Sequence, residues 1–425
     1  MDTAIFSLGP ATIDSTVTVP QFINDDERVL IDLQLSSVKA AFASGEPTSF
    51  ENAGTRRKIF FEPSRTKAAI VTCGGLCPGL NNVIQSVVRM LYFSYGVRQI
   101  LGVRYGYEGL IPDFGHSFLE LTPQLVHDIH KTGGTILGTS RGPQDIGRMV
   151  DTLVANKIDI LFTLGGDGTL RGADAIHEEI KRRGLKISVA GIPKTIDNDI
   201  QFAHKTFGFA TAVSIANESV HAAHAEAKSA RNGIGLVKVM GRDSGFIASY
   251  VALASNEVDY VFVPESHFEL RGEKGFLPHL EKRLAESKHA VVLVAEGAGQ
   301  KYCEITGEKD ASGNVKYGDV GVVMSTEIKK YFKEKNIPVV LKYIDPSYII
   351  RSVPASADDA VFCIMLAQNA VHGAMAGKSG FMVGYWNSYY TFVPLKLATS
   401  GRKKVDPKGY LWTVVCEATG QPDFF

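Results

Sequence analysis

The first run of the chain that reads as a buried strand is Lys67-Ala68-Ala69-Ile70-Val71-Thr72, because its apolar residues are continuous rather than alternating. Residues 1–66 carry turn formers and mixed charge without a sustained period, and predict an N-terminal extension. After the strand come Gly74, Gly75, Pro78 and Gly79, then Val83, Val87, Val88 and Leu91 at helical spacing. A second strand-loop-helix unit follows. Ile146, Met149, Val150, Leu153 and Val154 form a helical stripe, Ile158–Leu164 a strand ended by Gly165-Gly166, and Ala173, Ile176 and Ile180 a helix that stops at Gly184. Ile187–Gly191 is the next short strand.

A further series predicts a helix near 208–228, a strand at Ile234–Val239, a helix through Phe246 and Val251, and strands at Tyr260–Val263, His289–Ala295 and Pro338–Ile344. A polar loop covers 299–317. Near the end, Phe381–Tyr385 and Tyr389–Val393 flank Trp386-Asn387-Ser388 as a hairpin, where the parallel pattern is expected to stop. Strands alternating with helices imply parallel sheets.

The length of 425 residues suggests about two to three domains. The 45 basic residues balance 45 acidic ones, so global charge does not point to nucleic acid. Cys73, Cys77, Cys303, Cys363 and Cys416 lack the paired spacing of a zinc site or disulfide framework, and a reducing compartment is expected. No basic-then-apolar leader and no apolar run of spanning length is present, so no membrane partner is expected and the cytoplasm is the expected location.

Chemistry enters at the loops that follow strands, because these line the ligand crevice of a parallel α/β sheet. They are Cys73–Gly79, Gly165-Gly166-Asp167-Gly168-Thr169 and Pro193-Lys194-Thr195-Ile196-Asp197-Asn198-Asp199. Glycines let backbone approach a polyphosphate, and Asp167 stands where a carboxylate can hold Mg²⁺. Each feature has a structural reading too: glycine pairs cap strands, an Asp after a strand caps a helix, and Asp-Asn-Asp forms turns. Gly-Gly-Asp-Gly-Thr also resembles motifs of nicotinamide-nucleotide and diacylglycerol kinases, so it marks phosphate chemistry more firmly than it names an acceptor.

Together with Gly133-Gly134-Thr135-Ile136-Leu137-Gly138-Thr139-Ser140-Arg141, Met240-Gly241-Arg242-Asp243-Ser244-Gly245, Pro264-Glu265, Ala295-Glu296-Gly297 and Tyr348-Ile349-Ile350-Arg351, these motifs make the chain resemble the 6-phosphofructokinases over about 67–400. The resemblance implies an α/β fold of two Rossmann-like three-layer domains with largely parallel sheets and the active site in the cleft between them. The expected divisions are the extension 1–66, a nucleotide and Mg²⁺ domain 67–208 completed by a returning segment near 353–378, a fructose 6-phosphate domain 209–352, and a hairpin and tail 379–425. It further implies that Asp197 is the general base for the sugar 1-hydroxyl, with Thr195, Arg141 and Arg242 at the transferring phosphoryl group.

The same resemblance assigns Asp167 and Asp199 to Mg²⁺, and Gly75, Tyr107, Arg141, Gly142, Gly166, Asp167, Gly168 and Thr169 to ATP. Met240, Gly241, Arg242, Glu296, Tyr348 and Arg351 join Thr195 and Asp197 around the sugar phosphate. Family members use ATP or pyrophosphate. Gly168 favours ATP, since an aspartate there would crowd and repel the α-phosphate, whereas Lys194 is a pyrophosphate-type marker. Asp345-Pro346-Ser347-Tyr348 and Ala355–Ala360 are most similar to a trypanosomatid-type branch that pairs this lysine with glycine and uses ATP.

Gly233 replaces an arginine that serves the sugar 6-phosphate in bacterial members, so Arg231 or the basic turn Arg402-Lys403-Lys404 is a candidate substitute. Relatives form homotetramers or homodimers and are commonly allosteric, although no effector motif is readable here. The competing readings are a pyrophosphate-dependent phosphofructokinase and a catalytically silent sugar-phosphate or nucleotide sensor. The sensor would be expected to lose a catalytic carboxylate, and Asp167, Asp197 and Asp199 are all retained.

Overall fold

The computed structural model describes residues 1–304, 307–309 and 315–422. Residues 305–306 and 310–314 of the polar loop expected at 299–317 therefore lie outside the described residues, as does the C-terminal Asp423-Phe424-Phe425. The chain divides into two compact units. Unit 1 comprises Met1–Thr195, Ile200–Gly208 and Val353–Arg402, and unit 2 comprises Ile196–Asp199, Phe209–Ser352 and the chain from Lys403 onward. The dividing line thus cuts the Pro193–Asp199 motif, leaving Lys194 and Thr195 in unit 1 and Asp197 and Asp199 in unit 2.

Among the described residues, unit 1 carries a nine-stranded sheet in the order Arg28–Leu30, Ser49–Asn52, Tyr389–Pro394, Phe381–Trp386, Ser188–Pro193, Ile160–Gly165, Lys67–Thr72, Gln99–Val103, Leu119–Glu120. From Phe381–Trp386 to Gln99–Val103 the neighbours are parallel, with Ile160 opposite both Ala68 and Ser188. The continuous apolar runs of these strands follow from burial on both faces. The parallel pattern reaches further than expected, because the first leg of the hairpin pairs parallel with Ser188–Pro193 and only the second leg turns antiparallel.

Helices Ile146–Ala155 and Asp167–Arg182 place Met149, Val150, Leu153, Leu170, Ala173, Ile176 and Ile180 in one core with Ala69, Val71, Leu161, Val189 and Met382. Each fully buried Val, Leu, Ile or Met side chain contributes roughly 1.5–3 kcal/mol relative to exposure. Residues 1–66 are not a loose appendage. Their strands extend the sheet edge, and Glu51 receives Arg56 at 2.7 Å and Lys378 at 2.6 Å, a paired charge cluster that fixes the extension to the sheet.

Unit 2 holds a parallel four-stranded sheet in the order Tyr260–Phe262, His289–Ala295, Gly233–Val239, Val340–Ile344. Phe262, Phe276, Leu280, Val292, Val294, Met324, Ile328 and Phe332 form its main core. Helix Phe209–Lys228 begins where the chain passes from Gly208 into the long segment of unit 2, and helix Phe246–Ser255 lies within that segment.

Candidate active site

Three parallel strands of unit 1 end side by side, Thr72 opposite Leu164 and Pro193 opposite Gly165, which gathers their following loops on one edge. Cys73 N donates to Leu164 O and Lys194 N to Gly165 O, both at 3.0 Å. The Gly133–Arg141 stretch joins them: Gly74 N donates to Ser140 O at 3.0 Å, Thr139 Oγ1 to Gly74 O at 2.7 Å, and Thr72 Oγ1 to Gly138 O at 2.8 Å. Lys194 is buried, and its ammonium donates to Gly75 O at 2.6 Å. Gly79 has φ +100°, and a Cβ there would lie 2.6 Å from Cys363 Sγ, so this turn requires glycine.

Asp167 is the first residue of helix Asp167–Arg182 and only 9% exposed. Its carboxylate sits at the positive end of the helix dipole and pairs with Arg171 one turn on, Nε at 3.2 Å, and with Arg402 Nη2 at 3.7 Å. Gly168 presents open space, since an added Cβ would meet nothing within 4 Å. Thr169 is buried against Gly166-Gly165, and a Cβ on Gly165 would strike its Oγ1 at 2.1 Å. Arg141 is exposed, and Gly142 has φ +101°.

Tyr107, expected against a nucleotide base, is 7% exposed within the unit 1 core. Its hydroxyl donates to Thr169 O at 2.8 Å, and its ring lies so close to the helix that a Cβ on Gly172 would meet it at 2.6 Å. Burial pushes its phenol well above the usual range. The ring therefore packs beneath the Gly165–Thr169 turn and supports it through Thr169 O.

In unit 2, Asp197 is half-buried and Asp199 buried, with Asn198 between them at φ +55°. Ser244 Oγ donates to the Asp197 carbonyl at 3.1 Å. Arg242 also has positive φ, +47°, a conformation that costs energy for a side-chain-bearing residue and concentrates at functional sites. Its backbone is held by Glu296, whose Oε1 accepts from Arg242 N at 3.0 Å, and by Gly297, where a Cβ would come within 1.9 Å of the Arg242 carbonyl. Burial pushes the Glu296 carboxyl up, with the Arg242 amide opposing. Met240 is half-buried, and Gly241 has φ +139°. Tyr348 is 66% exposed, with the Arg351 guanidinium 4.7 Å from its ring centroid.

Gly233 begins its strand, and a Cβ there would lie 2.0 Å from Ala227 O, so the position admits no side chain without moving the neighbouring helix. Of the substitute cations, Arg231 and Lys404 are exposed, Arg402 lies by Asp167, and Lys403 N donates to Asp199 O at 2.8 Å. Burial pulls the Lys403 ammonium down to about 8, Asp199 opposing. Sequence reasoning missed Arg171 as the partner of Asp167, although the four-residue helical spacing signals it. The Arg402 contact had no such signal.

Among the described residues no group of three or more His, Cys, Asp or Glu side chains is arranged to hold a metal ion. The buried Asp167 carboxylate at a helix N-terminus, its charge shared with Arg171 and Arg402, fits a Mg²⁺ that would bring its own phosphate and water ligands. Among the described residues no helix is long and apolar enough to cross a membrane.

A phosphofructokinase family model matches residues 67–374. The chain is 51% identical over 408 residues to an ATP-dependent 6-phosphofructokinase of Borreliella burgdorferi, covering 94% of this chain and 91% of that one. It is 48% identical over 379 residues to an ATP-dependent 6-phosphofructokinase of Trypanosoma brucei brucei, covering 88% and 77%. Among solved structures, a pyrophosphate-dependent phosphofructokinase from Marinobacter aquaeolei superposes with a TM-score of 0.69 at 21% identity, covering 84% of this chain and 91% of that one, a likeness of fold. The matched span contains every motif described above as far as Arg351, and the chain belongs to the phosphofructokinase family.

Proposed function

We propose that the protein is an ATP-dependent 6-phosphofructokinase that transfers the terminal phosphoryl group of MgATP to the 1-hydroxyl of fructose 6-phosphate, giving fructose 1,6-bisphosphate and ADP. The observation that carries the reading is the Asp167-Gly168 pair, a buried carboxylate at a helix N-terminus followed by a residue that faces open space. Open, uncharged volume there suits a nucleotide polyphosphate, and relatives with about half the residues identical are ATP-dependent.

In this reading the unit 1 loops bind the donor. Backbone around Gly74, Gly75 and Gly166 approaches the phosphates, and the exposed Arg141 contributes a guanidinium fork to the transferring group. Asp167 would hold Mg²⁺, with Asp199 as the second carboxylate that the family pattern offers, and the ion would supply neutralisation of phosphate charge.

Residues of unit 2 serve the acceptor. Asp197 accepts the proton of the 1-hydroxyl as that oxygen attacks the phosphorus in line, while Arg242 balances charge on the phosphoryl oxygens. Glu296, whose carboxylate already fixes the Arg242 amide, pairs with a sugar hydroxyl, and Arg351 with the 6-phosphate. Purified protein given fructose 6-phosphate, Mg²⁺ and either ATP or pyrophosphate should form the bisphosphate with ATP. Product from pyrophosphate alone would assign the donor to Lys194, and product from neither would favour a silent sensor.

A further inference from the structure

Glu265 belongs to a motif that the proposed reaction leaves without a role, yet its carboxylate stands at the meeting point of two loops. Oε1 accepts from Gly245 N at 3.0 Å and from Val405 N at 2.9 Å. Gly245 follows Ser244, whose hydroxyl donates to Asp197 O at 3.1 Å, and Val405 follows Lys403 by two residues, whose amide donates to Asp199 O at 2.8 Å. The contacts close a ring through Asp197, Asp199, Lys403, Val405, Glu265, Gly245 and Ser244, wholly within unit 2. Val405 is buried and the Lys403 ammonium lies 5.0 Å from the ring centroid of Phe246, so packing supports the same arrangement.

We infer that Glu265 is a positioning residue for the phosphoryl-transfer step, tying the C-terminal segment Lys403–Val405 and the Met240–Gly245 loop into one brace that aims Asp197; this rests on the proposed role of Asp197 as base. The Asp197-Asn198-Asp199 turn is only four residues of unit 2 chain, Ile196–Asp199, with Asn198 in a left-handed conformation. Ser244 and Lys403 each donate to a backbone carbonyl of this short excursion, one on either side of Asn198, and so restrain its path. The task of Glu265 is to accept two amide hydrogens. Its other oxygen, Oε2, is buried and makes no hydrogen bond, and burial pushes the carboxyl above its usual range.

The test compares Glu265→Ala with Glu265→Gln, which keeps the Oε1 acceptor, in the full-length protein. Glu265→Ala should lower kcat by about 10-fold or more, a displacement cost typical of a misplaced reacting group, with KM for ATP and fructose 6-phosphate changed by less than about 3-fold. Glu265→Gln should stay within about 3-fold of the parent in kcat. Amide exchange should accelerate in peptides covering 196–200 and 403–405 of Glu265→Ala and not of Glu265→Gln. A folded Glu265→Ala protein with parental kcat, or equal losses in both variants, would overturn the inference.

Should Glu265→Ala fail to fold, Ser244→Ala tests the same ring from its other side, with an expected loss of about 3-fold in kcat and faster exchange over 196–200. Parental kcat and exchange there would be equally fatal. The outcomes remain separable from the proposed function. If the parent protein phosphorylated fructose 6-phosphate with neither donor, that function would fall, while the exchange data would still report whether Glu265 holds the Asp197 turn.

Discussion

Replacing Gly168 by aspartate isolates the reason an ATP site differs from a pyrophosphate site. A Cβ at this position meets no atom within 4 Å, so the new side chain should enter without displacing the protein. The residue is the second of helix Asp167–Arg182, where an added carboxylate stabilises by about 0.3–1 kcal/mol through the helix dipole. The fold should therefore be unchanged or slightly more stable. For the ligand the sign reverses: a carboxylate about 5 Å from a phosphate, at an effective dielectric of about 20, adds roughly 3 kcal/mol of repulsion, or about two orders of magnitude in affinity. Calorimetric titration of parent and Gly168→Asp proteins with MgADP and with Mg-pyrophosphate reads this without turnover. MgADP affinity should fall about 100-fold and pyrophosphate affinity by less than about 5-fold, because the shorter ligand lacks the phosphate that meets the new charge. Equal losses for both ligands, or a lower melting temperature, would refute the reasoning.

Asp197→Asn should reduce kcat by about 100-fold or more while melting as the parent does; near-parental turnover would remove Asp197 from the role of base. Tyr107→Phe deletes the 2.8 Å bond to Thr169 O and should cost about 1 kcal/mol of stability, visible in denaturant midpoints, and a neutral result would show that ring packing alone holds the turn. His372 is buried between Tyr95 and Thr55, at 2.8 and 3.1 Å, and burial lowers its pKa from 6.5 to about 4. Its depressed folded pKa means the neutral form contributes fully above about pH 6.5, and that contribution, about 3 kcal/mol, is lost as pH falls from 6.5 through 4. Denaturant midpoints of the parent should accordingly fall more steeply between pH 7 and 4.5 than those of His372→Gln; parallel slopes would contradict the burial account.

What could be read from the sequence was whatever has a local cause. Lys67–Thr72 and His289–Ala295 coincide with their expected ranges because strands covered on both faces must be apolar without interruption. Arg28–Leu30 and Ser49–Asn52 escaped notice for the converse reason: they are three and four residues long, and Ser49–Asn52 finds its partner in Tyr389–Pro394, far along the chain. Gln99–Val103 is interrupted by Gly102, whose missing side chain makes room for Leu137, so its apolar run looks too short. The glycine motifs were legible because glycine clusters mark close backbone turns after strands, and a Cβ at Gly79 or Gly165 would collide with Cys363 or Thr169. Contacts that depend on a distant amide were not. Glu265 meets Val405 across 140 positions, and no period or spacing carries that information.

The two residues that disagree about the donor differ in what their chemistry does. Gly168 acts by leaving volume and charge out of a space open to a ligand, so its meaning transfers directly from sequence to site. Lys194 acts through a flexible cation whose meaning depends on its neighbours, and here its ammonium bonds the carbonyl of Gly75 and lies 3.5 Å from where a Cβ on Gly74 would stand. A buried lysine hydrogen-bonded to the glycine loop shapes the backbone of that loop. It can support either donor. The balance of the pair then rests with Gly168, and the preference for ATP follows from exclusion at one position rather than from attraction at the other.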